Sequence, residues 1–284
     1  GRTIVTEAAA DPIASPFGWH DTDGIAGADT INTTGNNVRA QTDLPLVPGQ
    51  TVTDNNFTPG VDVQPSSETR EFHYPADLTM NPDAYREAVV TNLFYWNNVI
   101  HDVMYRYGFD EVSGNFQRNN YGRGGAQNDA VIADAQDGSG TNGANFFTPP
   151  DGSPARMQTF VWTLSTPHRD GALDHGVVVH ELSHGLTIRL TGGPANSNCL
   201  LNAEQGGEGW SDWYGLMLTM TEEDEGTDVI DILSNRIIPL RLGYVPVVNR
   251  GQRDIDNKKA INAALDLRPK PGQGTEVSCR LKRR

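Results

Sequence analysis

Two stretches of the chain repeat apolar residues at helical spacing. In the first, Val89, Val90, Leu93, Phe94, Trp96, Val99, Ile100, Val103, Met104 and Tyr107 follow the three-to-four-residue period of an amphipathic helix. Asn81 stands where a cap belongs, Pro82 suits the first helical position and Gly108 stops the run. The second runs from Asp174, a candidate N-cap, through Val177, Val178, Val179, Leu182 and Leu186 to a stop at Gly192-Gly193-Pro194. A third helix is expected around Leu216, Met217 and Leu218, after a glycine-rich entry at Gly206-Gly207.

The rest of the chain reads differently. The first 70 or so residues are rich in Thr, Asn, Asp, Gly and Pro, with short apolar pieces such as Thr51-Val52 and Val61-Asp62-Val63. That pattern predicts short strands joined by turns, a β-rich and loop-rich lobe. Residues 110 to 160 are rich in Gly, Asn and Asp and read as ordered loops and strand edges. Strand-rich then helix-rich order argues an α+β fold. The divisions expected are a β-rich part at 1–80, a helical and loop region at 81–226, and a tail at 227–284.

Charge sharpens the last boundary. The 284 residues carry a net charge of −14, yet 12 of the 22 basic residues, including all four Lys, lie after position 226 against only 6 acidic ones. Up to 226 the balance is 10 Arg and no Lys against 30 acids, a net of −20, and the tail is +6. Such a break marks a separate module, a basic arm, or a terminus foreign to the preceding domain. The overall acidity repels phosphate backbones, so neither nucleic acid nor an anionic membrane is expected as partner. No stretch approaches the roughly 18 consecutive apolar residues of a membrane span. The two cysteines, Cys199 and Cys279, cannot build a disulfide framework.

The chemistry concentrates in the second helix, which carries His180-Glu181-Leu182-Ser183-His184. Histidines at i and i+4 point from one helix face and can share a Zn²⁺. Glu181 then lies beside the metal, where a carboxylate can take a proton from water. A catalytic zinc needs a third protein ligand and an open position, and Glu208 is the best-placed downstream carboxylate. Asp212, four residues on, can accept the other ring N–H of a ligand histidine. His101, within the first helix, reads as a packed, hydrogen-bonded histidine. The acid-rich loops of 110–160 leave Ca²⁺ as a second candidate ion, although their spacing is not that of an EF-hand loop.

These motifs, with Asp11-Pro12-Ile13-Ala14-Ser15-Pro16-Phe17-Gly18-Trp19-His20-Asp21, Asn92-Leu93-Phe94-Tyr95-Trp96-Asn97-Asn98, Tyr107-Gly108-Phe109-Asp110-Glu111, Pro149-Pro150-Asp151-Gly152 and Leu190-Thr191-Gly192-Gly193-Pro194-Ala195-Asn196-Ser197, resemble the fungalysins. These are secreted zinc metallopeptidases related in fold to thermolysin. The resemblance spans about 11–226. It implies two lobes, a β-containing N-terminal one and a mainly helical C-terminal one, with a substrate cleft between them crossed by the zinc helix. It implies His180, His184 and Glu208 as zinc ligands, Glu181 as catalytic acid/base and Asp212 as the partner orienting a ligand histidine. Asn142, Ala144 and Asn145 would lie on the edge that binds substrate backbone, with Gly143 standing where the family usually has Asn.

The glycine run before Glu208 is two residues shorter than the family pattern. Thermolysin-like enzymes also place an oxyanion-stabilising histidine downstream of the glutamate ligand, whereas all seven histidines here lie at or before His184. The tail from 227 does not resemble the family, so the C-terminal lobe is expected to be truncated or replaced. The leading expectation is a secreted, extracellular zinc endopeptidase acting on proteins and peptides, monomeric, whose signal peptide and inhibitory propeptide have been removed. The alternative is a zinc-binding remnant that lacks catalytic competence. A structural protein with a fortuitous motif ranks third.

Overall fold

A computed structural model describes residues 5, 9–46, 51, 57–203 and 205–219, with the backbone of 263–270 and 274–281. It combines helices and strands in an α+β arrangement. Strands β1 (Val38–Thr42), β2 (Val131–Ala135), β3 (Ala144–Phe147) and β4 (Arg156–Thr159) form one sheet in the order β1-β2-β4-β3. The first two joints of this order are parallel and β3 pairs antiparallel with β4, so β3 is an edge strand. A two-stranded pair, β5 (Val161–Trp162) and β6 (Arg169–Asp170), follows.

The sheet's two faces differ in chemistry because strand side chains alternate. One face carries the register row Ala40, Ala133, Met157, Phe146, with Val38 beside Val131. Its small residues admit helix α1 (Arg86–Arg106), whose Val89, Val90, Leu93, Phe94, Ile100 and Met104 are buried in the same core. The other face carries Gln41, Asp134, Gln158 and Asn145 in one row. There Arg156 binds Asp134 at 2.7 Å, Asp43 at 2.7 Å and Asp137 at 2.9 Å, and all four residues are buried. Burial, then carboxylate repulsion, pushes Asp43 up to about 7. Burial likewise pushes Asp134 up to about 6, against the pull of Arg156.

Several local expectations are corrected. Among the described residues of 1–80, β1 is the one named strand, and the Val61–Val63 piece makes only a bridge between Pro59 and Asp62. Single backbone bonds, such as Thr42 N–H to the Val63 carbonyl at 3.0 Å, and side chains acting on backbone hold this stretch. Asp62, for example, accepts N–H bonds from Leu44 at 2.6 Å and Thr58 at 2.8 Å. Asn81 does not cap: its side chain accepts from the His168 N–H at 3.1 Å, and residues Pro82–Tyr85 form a 3₁₀ turn before α1. Tyr107, counted with the buried face, is 67% exposed because α1 ends at Arg106. His101 is a packed histidine, its Nδ1 at 3.0 Å from Asp102. Asp102 also accepts from Asp11 N–H, Ser15 Oγ and Trp19 Nε1, which moors the N-terminal segment to α1.

Helix α2 (His175–Gly192) begins as predicted: Asp174 Oδ1 accepts from the Gly176 and Val177 N–H groups. It ends against Gly193, whose φ of 80° suits a residue without a Cβ. Val178, Val179, Leu182 and Leu186 face the core, while α2 packs on α1, on β3 and on helix α3 (Gly207–Thr219). No helix among the described residues is long and apolar enough to cross a membrane. In the tail, β7 (Ala263–Lys270) and β8 (Gly274–Leu281) form an antiparallel hairpin, and residues 220–262 lie outside the described residues.

Candidate metal centre

Two helices supply the convergent side chains. His180 and His184 stand one turn apart on α2, with their Nε2 atoms 3.1 Å from each other. Glu208, the second residue of α3, brings Oε2 to 3.2 Å from His180 Nε2 and 3.7 Å from His184 Nε2. The shortened glycine run does not prevent this approach. Gln205 Oε1 accepts the Gly207 N–H at 2.5 Å, which opens α3 directly before Glu208. The helices meet closely: a Cβ on Gly215 would lie 3.2 Å from the Gly176 carbonyl.

The three donor atoms suit one ion. Ligands held at about 2.0–2.1 Å in tetrahedral geometry are separated from each other by about 3.3–3.4 Å. The observed separations of 3.1, 3.2 and 3.7 Å bracket that value. Two imidazoles and a carboxylate are a zinc donor set, and the half-exposed Glu208, at 49%, leaves one side of the group accessible. Asp212 Oδ1 lies 2.7 Å from His180 Nδ1, so a proton there donates to Asp212 and the Nε2 lone pair turns toward the cluster.

The same contacts set the charge of the metal-free pair. Burial lowers the pKa of His180, but hydrogen bonds to Asp212 and Glu208 and the nearby Glu181 carboxylate outweigh it and raise it to about 9. Burial, then the charge on His180, drives His184 down to about 4. Two ring nitrogens 3.1 Å apart accommodate one proton between them. Glu181 itself is buried at 6% exposure.

The remaining site residues lie on and beside edge strand β3. Ala144 and Asn145 belong to β3, and its outer side, away from β4, is unpaired in the described sheet. Asn142 lies just before it, its side chain accepting from the Thr163 N–H at 2.7 Å. Sequence reasoning did not anticipate what sets the spacing of α2 and β3. A Cβ on Gly185 would come within 2.6–2.8 Å of the Phe116 and Phe146 rings, so the residue after His184 must be glycine for the helix to lie this close to the strand. A lone glycine in an apolar helix is the sequence sign of such an approach.

Arg189 was also missed. It is fully buried, donating to Asp129 at 3.1 Å, Asp151 at 3.2 Å, the Gly114 carbonyl at 3.0 Å and the Pro149 carbonyl at 2.8 Å. Its guanidinium also lies 4.7 Å from the Phe116 ring centre. The acid-rich 110–160 region, where Ca²⁺ was the second candidate ion, contributes Asp134 and Asp137 to a group of carboxylates. These two gather with Asp43 around the Arg156 guanidinium, which pairs with all three.

Comparison with known proteins bears on this geometry. The family model of the fungalysin metallopeptidases (M36) matches residues 1–232, and a model of the dynamin central region matches residues 228–267. Extracellular metalloproteinase 2 of Trichophyton tonsurans is 48% identical over 212 residues, 74% of this chain and 32% of that protein. The protein of the same name from Arthroderma gypseum is 49% identical over the same coverage. Extracellular metalloproteinase 4 of Arthroderma otae is 48% identical over 210 residues, 73% of this chain and 29% of that protein. The chain thus spans about a third of the length of the curated relatives it matches. With its model matched over most of the length, the chain belongs to the fungalysin metallopeptidase family.

Proposed function

We propose that the chain is a secreted zinc endopeptidase with a thermolysin-like, two-lobed site. The observation that carries this reading is the convergence of His180 Nε2, His184 Nε2 and Glu208 Oε2 at separations that fit one tetrahedral ion. His180, His184 and Glu208 would hold zinc, which would supply Lewis acidity at the scissile carbonyl and at the attacking water. Glu181 takes the proton of the attacking water as the new C–O bond forms, then delivers it to the amide nitrogen as the C–N bond breaks. An extended substrate adds to the open side of β3 by backbone hydrogen bonds along Ala144 and Asn145, with Asn142 at the end of the strand. Substrates are proteins and peptides, the enzyme acts extracellularly as a monomer, and a removed propeptide is its inhibitor. The extracellular metalloproteinases it resembles support this localisation.

A second reading has its own observation: no histidine follows His184 in these 284 residues. An oxyanion donor typically contributes about 10²–10³ in rate. A chain lacking one would bind zinc and cleave slowly or not at all. Casein hydrolysis by the zinc-loaded chain, with zinc withdrawn by a chelator and then restored, separates the two readings. The endopeptidase reading expects activity that disappears and returns. Activity indifferent to the chelator would refute it, and no activity at full zinc occupancy would favour the remnant.

Metal affinity carries two further expectations. Zinc must displace the proton of His180, whose metal-free pKa is raised to about 9. Affinity should therefore be level above pH 9 and fall about tenfold per unit as pH drops below it, with about one proton released per ion bound at neutral pH. Calorimetry in buffers of different ionisation enthalpy reads that proton directly. Asp212→Ala removes the carboxylate that fixes the His180 ring and should weaken zinc by about 10–100-fold in chelator competition. Unchanged affinity would remove Asp212 from its positioning role.

A further inference from the structure

The loop from Asp21 to Asp29 gathers a second set of carboxylates, separate from the zinc ligands and independent of their role. Its base is closed by the Asp29 N–H donating to the His20 carbonyl at 2.9 Å. One oxygen each from Asp21, Asp23 and Asp29 lies within 4.8 Å of the others. Asp23 and Asp29 are exposed, but Asp21 is fully buried at 0% exposure, and its Oδ2 is buried without a hydrogen-bond partner. Its other oxygen accepts from the Gly24 N–H at 3.1 Å and the Tyr121 hydroxyl at 3.4 Å.

A buried carboxylate oxygen with nothing to bind is costly. Here the carboxylates of Asp23 and Asp29 each bring an oxygen within 4.8 Å of one of Asp21's. Burial, and then repulsion from Asp29 and Asp23 beyond the relief given by the Gly24 N–H, raises the pKa of Asp21. The contrast with Asp43, Asp134 and Asp137 is instructive, because that trio encloses a guanidinium. No described Arg, Lys or His forms an ion pair with Asp21, Asp23 or Asp29, although Arg118 draws Asp29 down from a distance. The turn's internal bonds leave donor capacity unused. Asp29 Oδ2 takes the Thr22 and Asp23 N–H groups and the Thr22 hydroxyl, and Asp23 Oδ1 takes the Ile25 N–H.

We propose that the Asp21, Asp23 and Asp29 carboxylates bind a calcium ion, with Asp21 Oδ2 as its buried ligand. Calcium is the matching cation because all donors are hard oxygens and its ligand distances of about 2.3–2.6 Å allow oxygens up to nearly 5 Å apart in one shell. A loop built of turns also tolerates calcium's irregular geometry better than the strict octahedron that magnesium demands. With two ligands at the surface, water completes the shell. The affinity belongs with extracellular calcium modules, in the range of about 10⁻⁴–10⁻³ M.

Terbium, a luminescent calcium mimic, tests this on the full zinc-loaded chain carrying Glu181→Gln to suppress self-digestion. The Tyr121 hydroxyl at 3.4 Å from Asp21 makes its ring a sensitiser for an ion bound there. The parent should show tyrosine-sensitised terbium emission that calcium displaces and magnesium does not. Calcium at saturating excess should also raise its melting temperature by roughly 5 °C. Asp23→Asn with Asp29→Asn, both at exposed positions, should fold, weaken terbium by about tenfold or more and lose the calcium-dependent shift. Absence of sensitised emission in the parent, or a double variant that responds to calcium as the parent does, overturns the proposal.

Discussion

Glu181→Gln is expected to reduce peptide hydrolysis by about 10²–10⁴-fold while zinc remains bound. Glutamine keeps the size and shape of the buried side chain but cannot accept a proton from water, so proton transfer to the leaving nitrogen is lost. The proposed metal donors, His180 Nε2, His184 Nε2 and Glu208 Oε2, are untouched by the change, and Asp212 still holds the His180 ring at 2.7 Å. Initial rates of casein hydrolysis, with zinc per chain measured on the same samples, separate loss of chemistry from loss of metal. The variant also serves as the blank for contaminating protease. Equal rates in parent and variant would remove Glu181 from the mechanism.

Arg189→Met should produce the largest loss of stability, about 3–5 kcal/mol, by leaving two carboxylates without their cation. Asp129 is fully buried and Asp151 nearly so, its side chain 11% exposed. Burial already raises the pKa of Asp129, against the pull of Arg189. Methionine fills part of the volume but donates nothing to Asp129, Asp151 or the Gly114 and Pro149 carbonyls. A drop of about 10 °C in melting temperature is the matching thermal readout. Arg189→Lys should recover only part of it, because an ammonium cannot reproduce the planar fork. A loss below about 1 kcal/mol for Arg189→Met in urea unfolding would show that the cluster does not anchor the end of α2.

The helical elements and the gathering of His180, His184 and Glu208 were legible in the sequence because their signals are local. His180 and His184 fall on one helix face by spacing alone, and the cap at Asp174 and the stop at Gly193 lie at the ends of the same helix. Glu208 and Asp212 share a face on α3 by the same four-residue rule. Asn81 failed as a cap because its side chain bonds to His168, 87 residues away. Arg189 read as an ordinary basic residue in the last turn of a helix. Its acidic partners lie 38 and 60 residues away, beyond any periodicity. The individual strands of the sheet were not located for a related reason. Its row of Gln41, Asp134, Gln158 and Asn145 is polar even where Gln41 and Asp134 are buried, so alternation of apolar and polar residues does not announce the strands. The N-terminal 80 residues looked strand-rich, yet among their described residues carboxylates such as Asp62 and Asp102 bind backbone and side-chain donors where a ladder was expected.

The most direct test of the account is the position of zinc. Anomalous diffraction at the zinc edge from crystals of the 284-residue chain should give one strong peak among His180 Nε2, His184 Nε2 and Glu208 Oε2, at about 2.0–2.2 Å from each. A zinc peak elsewhere, or one from which Glu208 is absent as a ligand, would contradict the metal centre on which the proposed chemistry depends.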